Sequence, residues 1–307
     1  MIILTLFLVL VVAVSLADRL LPYQVTRLAL ALERMLSGLR LKQATVGGIV
    51  MPYLEGGHGQ PLLLIHGFAG DKDNFTRVAR HLVAHYHVII PDLPGFGDAG
   101  RDPNGQYSIV DQVARLKALL QQLGIQKVDL GGNSMGGFIA AQFAATYPEM
   151  VDSVWLLDPT GTEAAGESSI IQHYLATGEM PLLVQSEDEF AALMRQTTHK
   201  PPFIPYSVRL VLARRAMRDF ELHRTIMAQF QGWPLLEQQY HRLPTPALVV
   251  WGERDLILHP NGAKATADLF EHSKVIIMPD IGHLPMVEAP RVAARDYLAF
   301  RQSLAAR

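Results

Sequence analysis

The chain predicts an α/β fold: a mostly parallel sheet flanked by helices, with a helical cap insertion and helices ahead of the sheet. Three observations carry that prediction. Short runs of Val, Ile and Leu alternate with helix-forming stretches across nearly the whole sequence, the pattern of a parallel sheet built by crossovers. One such run, 127–130, leads into Gly132-Asn133-Ser134-Met135-Gly136-Gly137 and then FIAAQFAATY, which reads as strand, sharp turn and helix. Finally, the strand over 154–157 ends at Asp158, and 88 residues, 159–246, separate it from the next candidate strand, 247–251. A single crossover needs only ~10–20 residues, so an extra helical unit is inserted there.

In chain order, the first element is an apolar run, 2–17 (IILTLFLVLVVAVSLA), with Thr5 and Ser15 as its polar members and no charge. As a helix it reaches about 24 Å, and continuing to Leu21 brings it to the ~30 Å of a bilayer's hydrocarbon layer. A cleaved signal peptide competes with this reading, but no Lys or Arg precedes the run and no polar terminus follows it. A retained single-pass transmembrane anchor is therefore expected. Leu21, Val25, Leu28, Leu32, Met35, Leu36 and Leu39 then recur at helical spacing, opposite Gln24, Arg27, Arg34 and Arg40. This predicts a juxtamembrane helix, lying on the bilayer or against a second copy in a homodimer, and a first unit over 1–43. An anchor in the inner (cytoplasmic) membrane is expected. Arg19, Arg27, Arg34, Arg40 and Lys42 all follow the apolar run, which by the positive-inside rule puts the folded domain on the cytoplasmic side, with the periplasmic side left open as the alternative.

A strand over 61–65 ends in the loop His66-Gly67-Phe68-Ala69-Gly70, and a helix is expected over 75–86. The histidines at 81, 85 and 87 sit at its end and read as polar tips facing water, with no metal site implied. The inserted unit, 159–246, holds a helical pattern over 206–220 and prolines at 181, 201, 202 and 205, as expected of a cap over an active site. The core is then 44–158 together with 247–307. Of the 307 residues, 49% are apolar, ample for such a core, and a net charge of −2 gives no reason to invoke nucleic acid. There is no cysteine, which excludes disulfides and thiolate metal sites.

The chemistry follows from the turn at 132–136. Gly-x-Ser-x-Gly between a strand and a helix projects the Ser134 hydroxyl clear of the sheet as a nucleophile. A serine hydroxyl needs a base to take its proton and an acid to orient that base. His283, on the loop after strand 274–278, is the candidate base. Asp255, on the loop after strand 247–251, is the candidate acid; Glu253, Asp280 and Asp158 also end strands, and Asp255 is preferred by the usual chain order. Two backbone N–H donors must stabilise the oxyanion. Met135, directly after the nucleophile, is one and Phe68 the other, with His66 expected to brace the loop. No cofactor is required.

HGF at 66–68, PDLPGFG at 91–97, GNSMGG at 132–137, WGERD at 251–255 and GH at 282–283 together resemble the α/β-hydrolase superfamily, from about Thr45 to the C-terminus. Within it the chain resembles membrane-associated monoacylglycerol lipases and bacterial membrane-anchored phospholipases A, which share the Lys-Asp pair (here Lys72-Asp73) after HGF and an apolar N-terminus. That resemblance implies a triad of Ser134, Asp255 and His283, lipid acyl esters as substrates and fatty acids as products. Hydrolases that cleave carbon–carbon bonds in ring-fission products are the alternative, but they typically carry Trp where this chain has Leu284. A non-catalytic membrane receptor is a third reading, disfavoured by a complete triad.

Overall fold

The computed structural model describes residues 2–102, 104–230 and 233–306. Its strands are β1 (Leu39–Val46), β2 (Ile49–Gly57), β3 (Gln60–Ile65), β4 (Tyr86–Pro91), β5 (Val128–Asn133), β6 (Val151–Leu157), β7 (Ala247–Gly252) and β8 (Ser273–Met278). They form one sheet in the order β1-β2-β4-β3-β5-β6-β7-β8. The β1–β2 and β2–β4 pairings are antiparallel and the rest are parallel. Every residue of β5 and β7 is buried, as expected of parallel strands covered on both faces. Alternation along β3 sends Leu62 and Leu64 to one core and Leu63 and Ile65 to the other.

Helices α1 (Ile2–Leu20) and α2 (Pro22–Leu36) precede the sheet. Helix α3 (Thr76–Ala79) lies between β3 and β4, α4 (Ile109–Gln122) between β4 and β5, and α5 (Met135–Thr146) between β5 and β6. Between β6 and β7 stand α6 (Ser169–Thr177), α7 (Glu187–Thr197), α8 (Tyr206–Arg218), α9 (Phe220–Phe230) and α10 (Leu236–Gln239). Helix α11 (Gly262–Ala267) joins β7 to β8, and α12 (Pro285–Glu288) and α13 (Pro290–Ala305) end the fold. Helix α5 is apolar nearly all round, so it can only sit inside, beneath the turn it follows.

The structure differs from the sequence reading at four places. The sheet starts at Leu39, not after residue 43, because Gly38 in the left-handed region (φ 70°) turns the chain out of α2 and β1 pairs with β2 through the Gly47-Gly48 turn. The helix expected over 75–86 shrinks to a 3-10 turn, Lys72–Phe75, and α3, because β4 already begins at Tyr86. The helix expected over 206–220 divides at Asp219. The apolar run does form a helix, but α1 and α2 meet at a 111° bend at Leu21, where Pro22 opens a new helix. Among the described residues no single helix is long and apolar enough to cross a membrane; only the bent pair is, taken together.

Long-range polar contacts hold the N-terminal helices to the rest. The Asp18 carboxylate accepts the backbone N–H groups of Tyr206 and Ser207, each at 3.1 Å, and so caps α8 from another part of the chain. Arg34 of α2 makes a two-pronged ion pair with Asp73 at 2.6 and 2.5 Å, and Arg77 donates to Glu33 at 2.9 Å.

Candidate active site

Ser134 sits at φ 56°, ψ −120°, a region L-residues rarely occupy, at a cost of ~1–3 kcal/mol. The turn is over-determined: the Ser134 N–H donates to the Leu157 carbonyl at 3.0 Å, and its own carbonyl accepts from Gly137 and Phe138 at 3.0 and 3.1 Å. A Cβ on Gly132 would collide with the Gly136 carbonyl, and one on Gly136 with the Ile65 carbonyl. Glycine is therefore required on both flanks of the serine.

His283 Nδ1 lies 2.8 Å from Asp255 Oδ2, and both residues are buried. The other oxygen of Asp255 accepts the N–H groups of Ile257 and Leu258 at 2.8 and 3.1 Å. Asp255 thus has three donors around it and is fixed as their acceptor. Glu253 and Asp280, the other loop candidates, lie at the surface, and Asp280 pairs with Lys200 at 3.3 Å. Asp158 is different. It is fully buried, and one oxygen each of Asp158 and Asp255 and one ring nitrogen of His283 lie within 4.8 Å of one another. That trio is compact enough for a cation, but its imidazole is already committed to Asp255.

The loop after β3 carries Phe68, whose N–H has no acceptor among the described residues; the same holds for Met135, first residue of α5. His66 braces this loop as expected. Its Nε2 accepts the Leu93 N–H at 3.0 Å, so its Nδ1 carries the proton and donates to the Gly67 carbonyl at 2.8 Å. Burial pushes the ring down to about 4, keeping it neutral.

Ser134, His283 and Phe68 share a cavity of about 290 Å³. Its walls are mainly apolar: Phe190, Leu193, Val208 and Leu212 from α7 and α8, Leu284 and Val287 beside the histidine, and Ala29 and Leu30 from α2. Sequence reasoning missed that last wall, because nothing local marks a distant helix as pocket lining. It also missed Asn133, whose Nδ2 donates to the carbonyls of Leu157 and His283 at 3.1 and 3.0 Å and ties the His283 loop to the elbow. Glu288 likewise accepts the N–H groups of Gly282, His199 and Lys200 at 2.9, 2.8 and 2.6 Å, joining that loop to the segment after α7. The histidines 81, 85 and 87 form no cluster among the described residues; His87 instead meets Glu55 at 2.8 Å.

The family model of the alpha/beta hydrolase fold matches residues 60–290. This chain belongs to the α/β-hydrolase fold family. The hydrolase is 39% identical over 298 residues to Lipase 1 of Psychrobacter immobilis, covering 94% of this chain and 93% of that one. It is 28% identical to a monoacylglycerol lipase of Rattus norvegicus, covering 79% and 76%. Among solved structures it is similar to a membrane phospholipase A described as a bacterial virulence factor, with TM-score 0.89 and 36% identity, covering 99% of each chain.

Proposed function

We propose that the hydrolase is a membrane-anchored serine esterase that releases fatty acids from lipid acyl esters through an acyl-enzyme. That it is a hydrolase of the lipase and esterase type rests on its lipase relatives. The observation that carries the rest is that His283, hydrogen-bonded to Asp255, lines an apolar cavity shared with a strained Ser134. In this reading Ser134 attacks the acyl carbonyl and His283 takes its proton. His283 then returns the proton to the leaving alcohol, while Asp255 stabilises the imidazolium. The Phe68 and Met135 amides hold the oxyanion, and a water, deprotonated by His283, releases the acid. The apolar walls support a fatty acyl chain as the group bound, and residues 159–246 act as the cap that covers it.

The test is Ser134→Ala, which should lose on the order of 10⁴-fold or more in kcat on a p-nitrophenyl ester and lose labelling by a fluorophosphonate probe, while remaining folded. Substantial residual turnover would sink the assignment. The exposed apolar side chains of α1, among them Leu4, Leu6, Phe7 and Leu8, support anchorage in the inner membrane. Deleting residues 2–16, which spares Asp18 and the α2 wall, should release the protein from the membrane fraction. A truncated protein that still sediments with membranes refutes the anchor.

A further inference from the structure

Asp158 directly follows β6 and lies beside Asp255 and His283. Its Oδ1 accepts the Gly252 N–H at 2.8 Å, while Oδ2 is buried without a hydrogen-bond partner among the described residues. The ionisable groups around it are Asp255 from the loop after β7, His283 from the loop after β8 and Glu288 of α12. Among the described residues no Lys or Arg pairs with Asp158, Asp255 or Glu288. Two carboxyl groups buried so close together without a cation do not both ionise. Three donors surround Asp255, so it is the carboxyl that carries the charge. Asp158 keeps the proton: burial and the charge of Asp255 push it well above the usual carboxylate range. A protonated carboxyl is a donor, which gives the orphaned Oδ2 a role.

We infer that Asp158 is a positioning residue of the triad, a neutral carboxylic acid whose Oδ2–H donates to the Asp255 carboxylate and holds its charge in place against His283. This deepens the proposed mechanism and rests on Asp255 being the triad acid. The hydrogen bond draws negative charge toward Asp158, so it tempers how strongly Asp255 stabilises the imidazolium. No proton moves to or from Asp158 in turnover. Its proton is held, as an amide's would be.

That equivalence supplies the experiment. Asp158→Asn keeps both bonds, since the amide N–H donates to Asp255 and its carbonyl accepts from Gly252. Infrared difference spectra of the full-length proteins at pH 7 should show the carbonyl stretch of a protonated carboxyl in the wild type that Asp158→Asn lacks. If the wild type lacks that band, the inference is overturned. With a soluble p-nitrophenyl ester, Asp158→Asn should stay within about 3-fold of wild type in kcat/KM, with the acidic limb of its pH profile in place. Asp158→Ala removes the donor. Its acidic limb should move to higher pH by about half a unit or more, with kcat down on the order of 10-fold and KM little changed. A folded Asp158→Ala whose acidic limb does not move refutes the positioning role, and so does an Asp158→Asn that matches Asp158→Ala. Should Asp158→Ala not fold, the infrared band and the Asp158→Asn profile decide alone. Should Asp255→Asn keep near-normal activity, the triad assignment fails; the infrared result would still report whether Asp158 holds a proton.

Discussion

Two groups of carboxylates lie near the Ser134 cavity, one paired with cations and one, among the described residues, without. On the oxyanion side, Lys72 is fully buried and reaches Asp92 at 2.7 Å and Asp98 at 2.6 Å, Arg215 of α8 pairs with Asp71, and Arg34 of α2 holds Asp73. Every acid there has a cation. Burial opposes the ionisation of Asp71, but the Arg215 and Lys72 charges outweigh it and hold its carboxyl well below the ordinary range, whereas burial wins at Asp92, which is raised, and at Asp73, which is pushed up to about 6. On the triad side, Asp158, Asp255 and Glu288 have no Lys or Arg partner among the described residues, and Asp158 moves the other way. Asp71 and Asp158 are both buried, so the difference between these two lies in the partners. The cation-rich side ties α2, α8 and the loop after β3 together through ion pairs. In the proposed mechanism the cation-free side leaves one negative charge to be set by the position of a proton, next to the imidazole proposed as the base.

Variants on the two sides should therefore fail differently. The largest effect is Asp255→Asn: kcat on a p-nitrophenyl ester should fall by roughly 10⁴-fold because the imidazole is left in the wrong tautomer, while the urea midpoint changes little. Equal losses of folding and turnover would erase the contrast. Next, Lys72→Met leaves Asp92 buried without its ammonium and should cost about 3–5 kcal/mol, read as a lower urea midpoint at unchanged slope. Asn133→Ala removes two buried hydrogen bonds, to Leu157 and His283, and should cost about 1–3 kcal/mol, with kcat lowered more than KM.

The smallest effects are the pH dependences, which should have opposite signs at Asp158 and Asp71. Asp158 is raised in the fold, so its contribution to stability is fully present below the unfolded value near 4 and is lost as pH rises through its folded value. Asp158→Asn should thus gain stability relative to wild type as pH climbs above about 4. Asp71 is depressed, so its contribution is present above about 4 and is lost as pH falls through its lower folded value. The deficit of Arg215→Met should therefore shrink in acid. Thermal midpoints from pH 3 to 8 would check both, and parallel curves would contradict the contrast.

Much of the core was legible because its signals are local. The elbow declares itself by glycines whose Cβ atoms would collide with backbone, and β3, β5, β6, β7 and β8 declare themselves as short apolar runs between helices. Asp255 and His283 could be picked because each closes such a run, and the two do meet at 2.8 Å. What stayed hidden depends on partners far along the chain. The start of β1 was masked because Leu39 also fits the helical spacing of the preceding residues, and only pairing with β2 distinguishes the two. The meeting of Asp158 and Asp255, and of α2 with the cavity, comes from strands and helices brought together by the sheet order. No period or propensity in the sequence reports it. The division at Asp219 also escaped, since its carboxylate is drawn to Arg101 of a distant loop at 2.7 Å.

The strained backbone at Ser134 has a consequence over the time in which sequences drift. At φ 56° and ψ −120° a glycine would rest where the serine is held under load, so the fold by itself favours losing the side chain proposed as the nucleophile. Only selection for turnover opposes that pull. In a descendant freed from catalysis, this corner should be among the first to relax, with glycine replacing serine while the neighbouring glycines, needed for packing, persist. The residue found at this one position in a related chain would then record whether its lineage still lives by the reaction.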